Sequence, residues 1–595
     1  MALFAMPACD DWLDREPFDI ILNDDIWADE EGAIGVLANL YDRLPVDAFN
    51  VFRTTGYAGN TEFSNAAFNM LIADEAMWSG GRNGLNSVRE IDPNFYSYWD
   101  YTYIRDLNLF LEKAEVSDLP SKELLIAEAR FLRAFTYFEM VKRFGGVPLV
   151  TASFEYEPGA PVEDLQVPRA TEAGTYDFIE SELNAIIEIL PEEKDFRRAT
   201  KWSALALKSR AMLYAGSLAR YNNRMAAPIL TPGGEVGMEA SRAEGYYTAS
   251  WEASQQIIEE GFVLEQDYFD LFEAKENNEI ILARDFLTGF YFHDFTIRNL
   301  TPSSADAAFA GAEVTPYLEM VDAYEYLDGT PGNIPIENGD GTPIYYDRIE
   351  DAFTGKDNRF YATVLYGGTT FRNTETSVLA GHKVWNESMG TYETRTGVDV
   401  GSRDEAGRLL VGFDGPSTER NITNTGFYIK KFLSTEPGAN LQTVQASNPW
   451  PIFRHAEILL NAAEAGYELN RTTEALQYIN TVRERAGFGA NSLTALTFDA
   501  IVHERRVELA YEGHRYFDIK RWRIAEDVLQ GQQFHGLFPF MVIHPGNENH
   551  EKYVFEKVEP TRLQENKVFE RRNYYTFIPS GALSRNPKLV LNPGQ

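Results

Sequence analysis

Apolar and polar positions are most clearly ordered between Ser121 and Val150. Leu124, Ala127, Phe131, Ala134, Phe138 and Val141 recur at intervals of 3, 4, 3, 4 and 3 residues, and Leu125, Leu132 and Phe135 widen the stripe. Such spacing predicts a helix buried over more than one face. Ser121 is its expected N-cap. Glu123 lies in the first turn, Lys142 and Arg143 in the last, and Gly145-Gly146 then Pro148 end it, the order of charge and breaker residues that the helix dipole favours. By periodicity alone this is a core helix.

The same reading extends along the chain. Ile34, Leu37, Ala38 and Tyr41 share a face, and Pro45 stops that helix. Gly56 to Asn94 is rich in Gly, Asn and Ser and sets Trp78 beside Ser79, Gly80, Gly81, Arg82 and Asn83. An aromatic face among flexible polar residues suits sugar contact, because C–H faces stack on the ring while Arg and Asn reach hydroxyls. A tryptophan tucked under its own loop has the same composition. Trp99, Tyr101, Ile104, Leu107, Leu111 and Ala114 define the next helix, with Trp99 read as core. An extended link from Val150 to Pro168 leads to helices from about Thr171 to Leu190, Lys201 to Tyr221 and Tyr246 to Glu260. In the second, the stripe Ala204, Leu207, Ala211, Tyr214 and Leu218 carries the small residues that closely packed helix pairs require.

From about Glu279 to Asn448 helical stripes thin out and turn dipeptides such as Asp328-Gly329, Asn338-Gly339 and Gly367-Gly368 dominate. A loop-rich stretch on a helical frame is where binding residues concentrate. Within it GFYFHDF (Gly289 to Phe295) and LAGHKVWNESMGTY (Leu379 to Tyr392) are the richest segments, and Tyr291, His293, Trp385, Asn386 and Tyr392 are the candidate ligand contacts. Alternation in Tyr361 to Tyr366 reads as a short strand. Helices return at Trp450, with the stripe Phe453, Ala456, Leu460, Ala463 and Tyr467, a turn at Asn470 to Thr472, and a second stripe Ala475, Ile479, Val482 and Ala486. A helix from Asp499 to Gly513 follows, and the remaining chain reads as a loop-rich wrap.

A chain of 595 residues with 44% hydrophobic content can bury a large core, and by length alone spans about two to four domains. Its 54 basic and 90 acidic residues give a formal charge of -36, the wrong sign for neutralising phosphates, which argues against nucleic acid. Polyanionic ligands are disfavoured for the same reason, unless a local basic pocket reverses it. The single cysteine, Cys9, rules out an intramolecular disulfide or a multi-cysteine metal site. It follows MALFAMPA and precedes Asp10-Asp11-Trp12-Leu13-Asp14, which reads as the remnant of a lipoprotein signal, with residues 1–20 as signal and tether. No apolar run of 18 or more residues occurs, so a lipid anchor is the expected membrane attachment.

Motifs for catalysis are missing. His503-Glu504 invites a zinc-protease reading, but the second histidine of H-E-x-x-H is replaced by Val507. Glu504, Glu508 and Glu512 share a helix face, with Arg505, Arg506, Arg515 and Arg521 as expected partners in an ion-pair network. There is no G-x-S-x-G elbow, phosphate loop or dinucleotide fingerprint, although sequence does not exclude a carboxylate pair suited to glycoside hydrolysis. No cofactor is expected. The loop Asn338-Gly339-Asp340-Gly341 is a minor candidate for structural Ca2+, without the spaced ligands of an EF-hand.

Three runs carry a family resemblance. ARFLRAFTYFEMVKRFGGVPLV from Ala129, ERRVELAYEGHRYFDIKRW from Glu504 and IPSGALSRNPKLVLNPG from Ile578 resemble, in order, the signature helix, the C-terminal signature and the ending of the SusD/RagB family, the cell-surface glycan-binding lipoproteins of Bacteroidetes. Arg454, Ala456, Glu457, Leu460 and Asn461 are similar to a further family helix, R-x-A-E-x-x-L-N. The resemblance implies a mainly α SusD-like fold, in which tetratricopeptide-like helical hairpins frame a loop-rich, ligand-binding half with short strands. One domain would span 21–595, comprising a helical part (21–278), a loop-rich insert (279–448), helical hairpins (449–530) and a wrap (531–595). It also implies a non-enzymatic receptor, lipidated at Cys9 on the outer-membrane surface, which captures oligo- or polysaccharides and delivers them to a SusC-like TonB-dependent transporter. The signatures do not specify ligand contacts. Trp78, Arg82, Asn83, Tyr291, His293, Trp385, Asn386 and Tyr392 rest on local composition. Acidity favours a neutral polymer, with a β-glucan as the starting guess. Two alternatives stay open: a RagB-like receptor for peptides or another nutrient, and an all-helical glycoside hydrolase or lyase.

Overall fold

The computed structural model describes residues 26–27, 29–49, 61–62, 70–79, 97–154, 159, 161–306, 311–417, 421–441, 444–560 and 566–595. Cys9, Arg82 and Asn83 lie outside the described residues. The helices α1 (Glu30–Asp42), α2 (Tyr101–Val116), α3 (Lys122–Phe144), α4 (Glu172–Asn184), α5 (Lys201–Asn222) and α6 (Ala243–Glu259) build the first half. The stripe of the organising helix, α3, is buried as its period requires, with Phe131, Leu132, Tyr137 and Phe138 fully covered. Its cap differs from expectation. The Ser121 side chain makes no capping bond; instead the Ser121 N–H donates to Glu30 Oε1 at 3.0 Å, so α1 closes the end of α3. At the other end Gly145 has φ +75°, and a Cβ there would stand 2.5 Å from the Glu235 carbonyl oxygen, which explains the glycine.

Small residues set the helix spacing. Ser209 of α5 and Ser254 of α6 touch through their hydroxyls at 2.8 Å. In the second half α7 (His455–Glu468) and α8 (Thr472–Arg485) form the expected hairpin, turned at Asn470 in the left-handed region. Gly466 of α7 is wedged so tightly that a Cβ would lie 2.5 Å from the Trp251 ring of α6 and 2.9 Å from Ala475 of α8. Gly466→Ala is expected to destabilise the protein by about 1–3 kcal/mol through overpacking, despite alanine's better helix propensity. Urea unfolding of variant and parent checks this; an unchanged or raised midpoint would contradict it.

The strands depart from the sequence reading. Trp450–Arg454 is a strand paired antiparallel with Ile280–Arg284, and the helix begins only at His455. Residues Asn358–Thr363 are helical, leaving Val364–Leu365 as the strand. The segment read as wrap contains two strands of a four-stranded sheet. Labelling its members β1 (Gly381–Asn386), β2 (Thr391–Arg395), β3 (Gly536–Ile543) and β4 (Tyr553–Val558), the order is β2-β1-β3-β4. β1 and β2 form an antiparallel hairpin, β3 runs parallel to β1, and β4 returns antiparallel to β3.

The C-terminal signature is a buried clamp. Helix α9 (Phe498–Glu508) ends five residues earlier than its pattern suggests, and α10 (Arg515–Arg521) follows. Glu504, Glu508 and Glu512 do enter an ion network, but with Arg359, Arg454, Arg483, Arg485 and Lys431 from other elements. The neighbouring arginines go elsewhere: Arg505 to Asp518, Arg506 and Arg515 to Asp74, Arg521 to Glu464. Successive residues on a helix point about 100° apart, so Arg505 and Arg506 face other elements than the Glu504–Glu508 stripe does.

Asp74 and Glu75 show opposite electrostatics. Asp74 would be raised by burial, yet Arg506 and Arg515 hold it well below the usual carboxylate range. Burial pushes Glu75 up to about 8, even though its Oε1 accepts the Tyr511 N–H at 2.8 Å. A carboxyl whose folded pKa is raised contributes stability fully below its unfolded pKa, near 4.5, and loses it as pH rises towards 8. Glu75→Gln is therefore expected to flatten the fall of unfolding free energy between pH 5 and 8. Parallel pH profiles for the two proteins would refute the assignment.

Candidate functional site

The hairpin β1–β2 is fixed by its own turn. Asn386 Oδ1 accepts from Ser388 N at 3.0 Å and Ser388 Oγ at 2.7 Å, while Asn386 Nδ2 donates to Glu393 Oε1 at 2.5 Å. Gly390 supplies the left-handed residue, with φ +65°. This turn sets a register that places Trp385 directly opposite Tyr392. The parallel neighbour β3 pairs Ile543 with Val384, so the next residue, His544, falls beside Trp385.

Three half-buried rings, two on the hairpin strands and the third just past the end of β3, thus stand in one row. The Trp385 and His544 rings are stacked, 4.7 Å between centroids and 5° between planes. Tyr392 meets both near edge-on, at 5.1 Å and 66° from Trp385 and at 5.7 Å and 71° from His544. Its hydroxyl lies 2.9 Å from His544 Nδ1. Burial, then the neighbouring Tyr345, pushes the Tyr392 hydroxyl up, so it keeps its proton at neutral pH. Two residues along the same face Lys383 donates to Glu556 Oε1 and Thr394 Oγ1, each at 2.5 Å, and lies 4.6 Å over the Phe540 ring. A cleft of about 230 Å3 runs along this face, bounded by Glu337, Tyr345, Lys383, Tyr392 and Glu556. The cleft offers a phenol and an ion pair, and the row that shares Tyr392 with it adds an indole backed by His544, together a surface for binding.

Of the sequence candidates, Trp385 and Tyr392 come together. Asn386 is adjacent, but its amide is committed to the turn. His544 was not anticipated; its signal was the apolar run from Gly536 to Ile543, broken by His544-Pro545-Gly546, which reads as a strand delivering one polar ring to a turn. Trp78 ends a short strand, Ala76–Trp78, paired with Val314–Pro316, rather than standing free in a loop. It is half-buried against the core, and its Nε1 is covered with no hydrogen-bond partner among the described residues. No ring contact joins it to the Trp385 row among the described residues.

The GFYFHDF segment turns inward. His293 is 0% exposed, with Nδ1 facing the Phe295 N–H and Nε2 near the Asn448 carbonyl, each at 3.3 Å. Burial pulls its pKa down to about 4, and Phe49, Phe286 and Trp450 surround the ring. His293 is a core residue, with no face for a ligand. Tyr291 stacks on Phe286 at 5.3 Å, and its hydroxyl is tied to Arg284 and Asp42 beside a separate cavity of about 240 Å3. In the Asn338–Gly341 loop Asp340 Oδ1 accepts from Thr342 N at 3.0 Å and Oγ1 at 2.6 Å, closing a turn. Among the described residues no group of three or more His, Cys, Asp or Glu side chains is arranged to hold a metal ion, and no helix is long and apolar enough to cross a membrane.

Comparison with known proteins supplies the context. A family model described as "SusD family" matches residues 278–594, and one described as "Starch-binding associating with outer membrane" matches residues 11–213. The chain is 24% identical over 591 residues to SusD-like protein P25 of Formosa agariphila, covering 91% of this chain and 92% of the relative. Its fold is similar to a SusD-like protein of Bacteroides fragilis, with a TM-score of 0.69 and 23% identity over 98% of this chain and all of the other. It is also similar to a laminarin-binding SusD-like protein, with a TM-score of 0.58 and 20% identity over 95% of this chain and all of the other.

Proposed function

The chain belongs to the SusD family, and from that membership we propose that it is a non-catalytic glycan-binding protein of the outer-membrane surface. It captures oligo- and polysaccharides and passes them to a SusC-like TonB-dependent transporter, held at the membrane by a lipid on Cys9. The observation that carries this reading is the row of Trp385, Tyr392 and His544. His544 covers one face of the indole and locks it, while Tyr392 sits at its edge, which leaves the second face for the C–H face of a sugar ring. A ring fixed before binding loses little side-chain freedom when the ligand arrives. Tyr345, Tyr392 and the Lys383–Glu556 pair supply hydrogen-bonding groups along the cleft.

One such platform contributes only about 1 kcal/mol beyond burial, so useful affinity requires a repeating polymer that re-engages as it leaves. The polymer is neutral: Glu337 and Glu556 border the cleft, and the whole chain carries a formal charge of -36. A β-glucan is the first to test, since a structural neighbour is laminarin-binding. Native gels containing neutral or acidic polysaccharides give the test. Retardation by a neutral polymer is expected, with no new reducing ends when that polymer is incubated with the protein. Retardation only by uronate- or sulfate-bearing polymers would contradict the ligand class, and reducing-end release would contradict non-catalysis.

A further inference from the structure

A pocket of about 550 Å3 opens where the start of α2, the extended link after α3 and a short C-terminal helix, α11 by chain order and here called the strap helix (Ser580–Arg585), meet. Its walls are apolar, built from Trp99, Phe154, Leu165 and Leu589. Trp99, read from sequence as core, is only half-buried. Phe144 meets it edge-on at 4.9 Å and Tyr101 flanks it at 5.3 Å, which fix the indole. Phe154 is 47% exposed. The strap helix is tied to the opposite wall: Gln166 Nε2 donates to the Arg585 carbonyl at 2.9 Å, and Asn586 Nδ2 to the Val167 carbonyl at 2.8 Å.

Charge distinguishes this pocket from the rest of the molecule. In a chain with 90 acidic and 54 basic residues, its described lining holds two arginines, Arg105 and Arg585, and no acidic side chain. Arg105 leans on Asp106 at 3.3 Å, but that carboxylate is also held by Arg43 at 2.6 Å. Arg585 makes no ion pair among the described residues. An open, mainly apolar pocket of this size with a few placed polar groups is a form that small-molecule sites take, and the two guanidiniums fit an anionic head.

We infer that this pocket is a second binding site, separate from the Trp385 row, for a small organic anion with an apolar body: a ring or short acyl group against Trp99 and Phe154, its carboxylate or sulfonate against Arg105 and Arg585. Anilinonaphthalene sulfonate is the probe, an aromatic body with one anionic head. It is expected to bind the full chain saturably at one site, with enhanced fluorescence. Arg105→Gln/Arg585→Gln weakens binding about tenfold; both side chains are exposed, so the fold is retained. Ala582→Trp, which fills the pocket from the strap helix, abolishes it and leaves polysaccharide retardation unchanged. Neutral phenylnaphthylamine binds more weakly than the sulfonate and is insensitive to the arginine changes. Three results would each overturn the inference: no saturable binding of the sulfonate probe, binding unaffected by Ala582→Trp, or displacement of the probe by glucuronate, an anion without an apolar body.

Discussion

Trp385→Ala is expected to weaken binding of the retarding polysaccharide at least about tenfold, the equivalent of about 1.4 kcal/mol, while leaving the unfolding transition nearly unchanged. The indole is half-buried and is not itself among the buried residues of the sheet's apolar cluster, Ala380, Phe540, Val542 and Val554, so its removal takes away the ligand's stacking surface and little packing. Trp385→Phe, which keeps a smaller flat face, is expected to fall between. His544→Ala separates platform from backing: it leaves the indole in place but frees it to rotate, so a smaller loss is expected. Equal affinity of Trp385→Ala and parent would place the site elsewhere. A binding loss accompanied by a collapsed transition would mean that the row is structural.

The second large effect lies in the clamp. Glu508→Gln is expected to destabilise the protein by about 3–5 kcal/mol, the cost of breaking a buried pair from one side. Glu508 is fully buried and meets Arg454 at 2.6 Å, Arg359 at 2.9 Å and Arg485. Burial alone would raise its pKa, but Arg485, Arg454 and Arg359 hold the carboxyl well below the ordinary range. A depressed folded pKa gives stability that is fully present above the unfolded value, near 4.5, and lost as pH falls below it. The parent should therefore lose stability on acidification more steeply than Glu508→Gln does. Adding Arg485→Met to Glu508→Gln is expected to recover part of the loss by removing a cation that has lost its nearest carboxylate and keeps, among the described residues, only the 3.4 Å ion pair with Glu279. Denaturant unfolding measures all three; a Glu508→Gln protein as stable as the parent would show that the network contributes no net stability.

The helical half was legible because burial there has a period. The stripe on α3 and the α7–α8 hairpin follow the 3.6-residue repeat, and Thr171 and Thr200 cap their helices through their side chains. The sheet was not, because β1 and β3 are joined by a parallel pairing between residues about 160 apart in sequence, which local pattern does not encode. The error at GFYFHDF has a related cause. A run of aromatics signals burial as readily as binding, and His293 is an internal ring whose nitrogens meet backbone groups. Trp385 and Tyr392 stand together because both lie on one hairpin, whereas His544 reaches them only through the third strand. The partners of Glu504 and Glu508 are hidden from the sequence for the same reason: arginines distant in the chain, not the neighbouring ones, fill the helix face.

The most direct test of the central claim is a crystal structure of the protein soaked with an oligosaccharide from the retarding polymer. A sugar ring lying parallel to Trp385 on the face away from His544, with hydroxyls reaching the Tyr345–Tyr392–Lys383 cleft, is the predicted result. Sugar bound with the Trp385 row left bare would contradict it.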